Sequence, residues 1–173
     1  MKGLRTLIGE AEIAARVEAL AAEIAQTISD DLVVIGLLKG AVMFVADLVR
    51  ALYRAGARPE IEFMRLSSYG LAKVSSGEVH LLGDVPIDLA ERRVLLVDDI
   101  VDTGRSIAYA AALLRQRGVG KIWTCALLDK PARREVTVDV DFVGFTIEDL
   151  FVAGYGIDYA ENYRYLPHIG IVD

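Results

Sequence analysis

The sequence predicts an α/β fold in which a mostly parallel, twisted sheet is flanked by helices. Short apolar runs, typical of buried strands, alternate along most of the chain with longer amphipathic or alanine-rich segments. The run from Val94 to Val97 is apolar at every position, which indicates a central strand that helices cover on both faces. The chain has 173 residues and is 54% hydrophobic, which is enough for one full core. We therefore expect a single domain over residues 1–173, with its core in about 10–147.

The first half of the chain alternates helix and strand. Apolar residues three or four positions apart predict an amphipathic helix over about 10–29. A short buried strand follows at 32–38, and a second helix is predicted over 41–55, where Gly56 suits a C-terminal cap. The next apolar run predicts a strand at 61–66.

The middle of the chain carries a long polar segment and then the central strand. Residues from about 67 to 79 are mostly small and polar, which predicts a mobile loop. The central strand begins near Arg93. An alanine-rich helix is predicted over 107–117 and ends at Gly118.

The last part of the chain completes the sheet and adds a tail. Apolar runs predict two more strands, at 122–128 and 141–145. The tail over about 148–173 alternates short apolar pieces with Gly, Asp and Pro. With the N-terminus, this tail is predicted to build a small hood over the carboxyl edge of the sheet.

The strongest functional signal is the stretch from Val94 to Ile107, with the sequence VLLVDDIVDTGRSI. Asp98 and Asp99 follow the apolar run, so we expect them at the carboxyl edge of the sheet, where open α/β folds bind ligands. The turn over 102–106 precedes a helix, so its N–H groups and hydroxyls are suited to one phosphate. Carboxylates beside a phosphate site suit a sugar phosphate, whose hydroxyls need acceptors. The implied ligand is a ribose 5-phosphate.

The alternative interpretation of the same stretch is structural. Asp98 and Asp99 would then be an acidic strand end in solvent, and Asp102 and Thr103 would only cap the helix. The complete arrangement of strand, acidic pair, small turn and helix favours the functional interpretation.

This stretch resembles the phosphoribosyl-pyrophosphate (PRPP) signature of the type I phosphoribosyltransferases. Other segments, in family order and spacing, narrow the resemblance to the hypoxanthine(-guanine) phosphoribosyltransferases. They are Leu37-Leu38-Lys39-Gly40, Ser68-Tyr69, Asp129-Lys130-Pro131 and the tail from Phe151 to Arg164. The resemblance implies the type I phosphoribosyltransferase fold. It also implies transfer of the 5-phosphoribosyl group from PRPP to hypoxanthine or guanine, which yields IMP or GMP and pyrophosphate.

The resemblance assigns the signature residues to PRPP. Asp98 and Asp99 would bind the ribose hydroxyls, directly or through Mg²⁺, although the purine enzymes commonly carry Glu at the place of Asp98. Asp102 would lie near the ribose and the purine N7 and act as general base. The 5-phosphate would be bound by Thr103, Gly104 and Ser106.

The resemblance assigns the other segments to pyrophosphate and to a lid. Pyrophosphate would be bound by Lys39, Gly40 and Arg164, and in the family the peptide bond before the lysine is often cis. Ser68 and Tyr69 would begin a lid over about 67–79 that excludes water from the reaction. The alternative for this segment is a long hairpin loop without a role.

The purine site implied by the resemblance has four members. Lys130 would donate to the 6-oxo group and reject adenine, because its ammonium has only donors. Phe151 would stack on the ring, the main chain at Val152 would read the base edge, and Asp158 would join the base pocket and hold a second Mg²⁺. Either Arg133 or Arg134 corresponds to a basic position of the family.

Composition limits the partners. A net charge of −6 argues against broad nucleic-acid binding, which requires a basic surface. No apolar segment approaches the roughly 18 residues of a membrane span, and no secretory signal is recognisable at the start. Cys125 is the one cysteine, which suits a reducing cytoplasm. The family implies a homodimer or homotetramer.

Two other functions stay open at this point. One is a PRPP-binding regulator that contacts nucleic acid without catalysis, which the acidic balance of the chain disfavours. The other is a phosphoribosyltransferase for a different base. Lys130, Phe151 and Asp158 disfavour a pyrimidine, whereas xanthine differs from hypoxanthine only at C2, where main-chain groups would read it.

Overall fold

The computed structural model describes residues 4–28, 30–68 and 78–173, which form helices and two β-sheets. In chain order the elements are β1 (Arg5–Ile8), α1 (Glu10–Thr27), β2 (Leu32–Leu38), α2 (Val42–Arg54), β3 (Glu60–Ser68), β4 (Val79–Gly83), β5 (Arg93–Val101), α3 (Arg105–Gln116), β6 (Lys121–Asp129), a 3₁₀ turn (Pro131–Arg133), β7 (Phe142–Thr146), β8 (Val152–Ala153) and β9 (Ile169–Ile171). Of the helices described, none has the length and apolar composition that crossing a bilayer requires.

The larger sheet has six strands in the order β4-β3-β2-β5-β6-β7. All neighbours are parallel except β3 and β4, which are antiparallel. This confirms the predicted mostly parallel α/β sheet. Chain order reverses between β2 and β5, because β3 lies beyond β2 on one side while β6 and β7 lie beyond β5 on the other. The fold therefore has a topological switch point at the centre of the sheet.

The central strands are buried on both faces because helices cover each side. Alternate side chains of a strand point to opposite faces. Leu95 and Val97 of β5 accordingly pack in the hydrophobic cluster that contains α1 and α2, whereas Val94 and Leu96 pack in the cluster that contains α3. All four side chains are fully buried, as the uninterrupted apolar run predicted.

The predicted apolar stripe of the first helix is confirmed. Its members are each at most 3% exposed: Ile13, Val17, Leu20, Ile24 and Ile28. The helix itself ends at Thr27, slightly before the predicted boundary. Gly56 follows α2 with φ of +97°, the left-handed conformation that glycine adopts without steric cost after a helix.

Two predicted boundaries near the functional motif are wrong. The central strand continues through both carboxylates to Val101, because its ladder with β6 continues and Asp98 lies opposite Ala126. The following helix begins at Arg105 rather than at residue 107, which places Ser106 in its first turn. The acidic pair thus lies inside the final part of the strand instead of beyond its end.

The sequence did not predict β1, β4, β8 and β9. Three of them, β1, β8 and β9, form a separate antiparallel sheet in which β9 lies in the middle. This small sheet joins the two ends of the chain. Strand β3 extends to Ser68, so the predicted loop loses its first two residues to the strand. Most of the predicted lid, with Tyr69, lies outside the described residues.

Gly36 in β2 provides a test of how closely α2 packs on the sheet. A Cβ at this position would lie 2.8 Å from Val45 Cγ2 and 2.9 Å from Phe63 Cε1. Since such overpacking costs about 1–3 kcal/mol, we expect Gly36→Ala to lower the free energy of unfolding by that amount in urea denaturation.

Gly83→Ala is the matched control, because its Cβ would meet nothing closer than Arg65 Cβ at 3.6 Å. We expect its free energy of unfolding to stay within about 0.5 kcal/mol of the unmodified chain. Equal losses in both variants would contradict the close packing at Gly36.

Candidate active site

The candidate site lies at the switch point of the large sheet, where β2 and β5 run side by side. Open α/β sheets form a crevice at such a point, outside the carboxyl ends of the strands. The turn after β2 brings Lys39 and Gly40 to this crevice. The end of β5 and the turn after it bring Asp98, Asp99 and Asp102.

Two glycines allow three remote segments to converge there. A Cβ on Gly40 would lie 1.9 Å from Asp99 Oδ2, so the turn after β2 lies directly against that carboxylate. A Cβ on Gly156, whose φ is +95°, would lie 2.3 Å from the carbonyl oxygen of Gly40. Only glycine permits both approaches. The tail therefore packs on the turn after β2, and the peptide bond between Leu38 and Lys39 in that turn is cis.

Asp98, which is buried, and Asp99, which is half-buried, form an adjacent pair of carboxylates. Asp98 is 8% exposed, and its Oδ1 accepts a hydrogen bond from the Asp99 amide at 2.9 Å. Burial raises the pKa of Asp98 well above its usual range, and the charge of Asp99 raises it further. Burial also raises the pKa of Asp99. Within the described part of the chain, neither carboxylate has an ion-pair partner within 4.0 Å.

The acidic pair suits a divalent cation that is shared with a substrate. No group of three or more His, Cys, Asp or Glu side chains suited to a metal occurs among the described residues, so they form no all-protein metal cage. Mg²⁺ needs no such cage, because it commonly binds one or two carboxylates together with waters and substrate phosphates. Asp98 and Asp99 supply the carboxylate part of that donor set, and a cation would balance the negative charge of their ionised form.

The turn between β5 and α3 has the form of a phosphate site. Gly104 is the N-cap residue of α3, with φ of +84° and no side-chain capping bond. Asp102 Oδ1 accepts from the Thr103 amide at 2.6 Å, so Asp102 stabilises its own turn and does not cap the helix. The Gly104 and Ser106 amides donate to no described residue. These amides, at a helix N-terminus, are available to an anion.

Arg134 and the two residues after it donate hydrogen bonds to carbonyl groups at the end of β5 and in this turn. The Arg134 Nη1 donates to the carbonyl oxygens of Asp102 at 2.8 Å and Val101 at 3.2 Å. The amides of Glu135 and Val136 both donate to the Thr103 carbonyl, at 2.9 and 3.0 Å. The carbonyls of Val101, Asp102 and Thr103 are thereby satisfied, whereas the amides of Gly104 and Ser106 are not. The geometry thus assigns the supporting role to Arg134, which sequence alone could not separate from its neighbour.

The tail places a second group of charges beside Lys39. Arg164 donates through Nη1 to the Gly156 carbonyl at 2.8 Å, and its Nη2 lies 2.9 Å from Asp158 Oδ1. Lys39 Nζ lies 2.9 Å from Glu161 Oε2. Lys39, Asp158 and Arg164, which the sequence nominated, are therefore neighbours. Glu161 was not among the nominated residues.

A third part of the site lies at the end of β6. Lys130 is only 7% exposed, and its Nζ lies 3.6 Å from Asp149 Oδ1 and 5.9 Å from the centre of the Phe151 ring. Phe151 is 74% exposed, so it is not a core residue. Val152 is buried in β8, opposite Ile171. A buried ammonium beside an open aromatic face can receive a flat ring that carries an acceptor.

The remaining nominated residues are at the start of the predicted lid. The backbone of Ser68 ends β3 opposite Val79 of β4. The side chain of Ser68 and all of Tyr69 lie outside the described residues. Because β3 is parallel to β2, its end lies at the same edge of the sheet as the site.

Comparisons with known proteins agree with this arrangement. The phosphoribosyl transferase domain family matches residues 9–160. The hypoxanthine phosphoribosyltransferase of Escherichia coli (strain K12) is 44% identical over 172 residues, which cover 98% of this chain and 95% of that protein. The hypoxanthine-guanine phosphoribosyltransferase of Bacillus subtilis (strain 168) is 43% identical over 169 residues, covering 97% of this chain and 92% of that protein.

Solved structures give the same result. A hypoxanthine-guanine phosphoribosyltransferase from Bacillus anthracis, with a HEPES molecule in its active site, has a TM-score of 0.91 and 37% identity, and the match covers 99% of this chain and 100% of that chain. A Trypanosoma cruzi hypoxanthine phosphoribosyl transferase has a TM-score of 0.92 and 36% identity, and the match covers 100% of this chain and 93% of that chain. The strand order, the site at the switch point and these relatives together place the chain in the type I phosphoribosyltransferase family, among the hypoxanthine(-guanine) phosphoribosyltransferases.

Proposed function

We propose that this chain is a purine salvage enzyme that transfers the 5-phosphoribosyl group from PRPP to hypoxanthine, and also to guanine. The products are IMP or GMP and pyrophosphate. The observation that carries the proposal is the convergence of an acidic pair, a helix N-terminus with free amides, two cations and a buried lysine at one edge of the sheet. Each of these groups suits a different part of the two substrates.

PRPP would span the crevice between β5 and the tail. The amides of Gly104 and Ser106 and the hydroxyls of Thr103 and Ser106 would bind the 5-phosphate. Asp98 and Asp99 would accept hydrogen bonds from the ribose hydroxyls. Pyrophosphate would bind the Lys39-Gly40 turn and the guanidinium of Arg164, whose Nη1 is positioned by the Gly156 carbonyl.

Mg²⁺ would be held by Asp98 and Asp99 together with PRPP, with Asp158 near the pyrophosphate for a second ion. Its chemistry there is to balance the negative charge that develops on pyrophosphate as the bond to ribose C1 breaks. One oxygen of Asp158 faces Arg164 and the other accepts from the Glu161 amide, but carboxylate oxygens have further lone pairs.

The purine would lie between Phe151 and the turn after β5. Phe151 would stack on the ring, the main chain at Val152 would read its edge, and Asp158 would adjoin the pocket. The Lys130 ammonium would donate to the 6-oxo group. Asp102 would remove the proton from the purine N7 as the new bond forms, its carboxylate being oriented by the Thr103 amide.

The rest of the chain would serve this reaction. The lid expected over about 67–79 falls mostly on residues outside those described, and the strands on either side of it, β3 and β4, pair up to Ser68 and Val79. The small sheet of the two chain ends would be the hood of a single domain over residues 1–173. We also infer a homodimer or homotetramer in the cytoplasm, where the buried thiol of Cys125 stays reduced.

A panel of bases tests the proposal directly. With PRPP and Mg²⁺, we expect the purified chain to form nucleotide from hypoxanthine and guanine and none from adenine or uracil, as measured by chromatography. Adenine places an amino donor where Lys130 offers only donors, so one buried group would stay unpaired. Turnover only with xanthine would contradict the assigned substrate, and PRPP binding without turnover would favour a regulator.

The Lys130→Ala variant sharpens this test. We expect the KM for hypoxanthine to rise by about 10- to 100-fold and the discrimination against adenine to fall. Arg133→Ala is the control, because Arg133 also lies near Asp149, at 3.7 Å, but its side chain is 47% exposed. Unchanged selectivity in the Lys130 variant would remove this lysine from the purine site.

Asp102→Asn tests the general base. The amide oxygen keeps the hydrogen bond from the Thr103 amide but cannot take up a proton, so we expect kcat to fall by about 10²- to 10⁴-fold. The KM for PRPP should change by less than about threefold, since the phosphate and pyrophosphate contacts remain. Steady-state kinetics with hypoxanthine separates the two parameters.

Asp84→Asn is the matched control for this substitution. Asp84 Oδ1 accepts from the next amide, that of Val85, at 2.7 Å, as Asp102 accepts from Thr103, but Asp84 lies outside the site. We expect its kcat to stay within about twofold of the unmodified chain. Equal losses of kcat and PRPP affinity in Asp102→Asn would show that Asp102 is structural.

A further inference from the structure

The carboxylate of Glu161 bridges the two cations of the pyrophosphate region. Its Oε2 lies 2.9 Å from Lys39 Nζ, and its Oε1 lies 3.6 Å from Arg164 Nη2. Lys39 belongs to the turn after β2 and Arg164 to the tail, so one side chain connects two remote segments. Each carboxylate oxygen faces a different cation, and a diphosphate would use its oxygens in the same way.

The backbone fixes the position of Glu161. The amides of Tyr159 and Asn162 donate to each other's carbonyls at 3.1 and 3.0 Å, which closes a tight turn with Ala160 and Glu161 at its centre. Both central residues have positive φ, +50° and +62°, as a two-residue hairpin turn of this type requires. The Glu161 amide also donates to Asp158 Oδ2 at 2.9 Å. The glutamate is thus held beside the cations by a defined turn.

Glu161 and pyrophosphate compete for the same two cations, Lys39 and Arg164. Lys39 has no other carboxylate within 4.0 Å among the described residues, so a diphosphate that binds its ammonium must displace Glu161 or accept a like charge beside it. We propose that Glu161 is an internal competitor for the diphosphate subsite and that it weakens the binding of PRPP and pyrophosphate. This inference rests on the proposed function, because that function assigns pyrophosphate to Lys39 and Arg164.

The competition between Glu161 and a diphosphate should be weak. The side chains of Glu161 and Lys39 are 69% and 51% exposed, and exposed ion pairs are weak and easily exchanged. Removing the charge should therefore strengthen diphosphate binding by about 3- to 10-fold rather than by orders of magnitude. The effect should be confined to ligands that carry a diphosphate, because Glu161 contacts no residue assigned to the purine or the 5-phosphate apart from Asp158.

The test is Glu161→Gln, which keeps the length of the side chain and removes its charge. We expect the KM for PRPP and the inhibition constant of pyrophosphate to fall together by about 3- to 10-fold, with the KM for hypoxanthine within about twofold. Calorimetric titration with inorganic pyrophosphate at fixed Mg²⁺ should show the same gain. Glu23→Gln is the control for net charge, because Glu23 pairs with Arg16 at 2.8 Å outside the site.

The direction in which the KM for PRPP changes shows whether Glu161 competes with the diphosphate or only orients Lys39. An unchanged or higher KM for PRPP in Glu161→Gln would overturn the proposal, since a residue that only orients Lys39 would weaken binding when removed. Glu161→Asn is a second variant for the same measurement of the KM for PRPP, because asparagine suits positive φ and is too short to bridge both cations. Turnover by the unmodified chain tests the proposed function separately, whereas the pyrophosphate titration tests Glu161 even if hypoxanthine is not the substrate.

Discussion

The placement of two adjacent carboxylates, Asp98 and Asp99, at the end of a buried strand is the constraint around which the site is organised. Both carboxylates lie in β5, a strand whose preceding residues are fully buried, and burial raises the pKa of each. A folded protein gains nothing from such a pair in isolation. In the proposed function, the pair would attract groups that bring hydrogen-bond donors or positive charge, namely the hydroxyls of a ribose and a divalent cation.

Two glycines bring neighbouring segments of the chain close to the pair. Gly40 contributes no side chain against Asp99, and Gly156 lets the tail approach the same turn. Arg134 is close in space to the turn after β5 but contacts its carbonyls instead of neutralising the acidic pair. Positive charge reaches the site from Lys39 and Arg164, at the position assigned to the leaving pyrophosphate. In the proposed function, this separation of cations from the acidic pair would orient PRPP along the crevice.

The central features of the fold could be predicted because they are local in sequence. Periodic apolar residues identified the helices, and the uninterrupted run at Val94 identified a strand with both faces covered. The extent of that strand could not be predicted, because its last residues are polar and stay in the ladder through pairing with β6. Strands β1, β8 and β9 are short, and β1 pairs with β9 from the opposite end of the chain, so no local pattern indicates them.

The residues of the site also divide into those that a local motif indicates and those that only long-range contacts reveal. Asp102 and Lys130 could be nominated from motifs that end a strand, and the structure places both at the sheet edge. The contacts of Arg134 and Glu161 depend on where two turns from distant parts of the chain meet. No local motif singled out Glu161, because only the fold shows that this acidic residue lies in a turn near two cations.

The most direct test of the central claim is the stability of Asp98→Asn in metal-free buffer, measured by urea denaturation between pH 5 and 8. Burial raises the pKa of Asp98 in the folded state, so stability falls as the pH rises above the pKa of an unfolded aspartate, and the full cost is present once the pH exceeds the raised pKa. We predict that Asp98→Asn is more stable than the unmodified chain near neutral pH and that the difference shrinks as the pH falls. A variant that is equally or less stable at neutral pH would contradict the account.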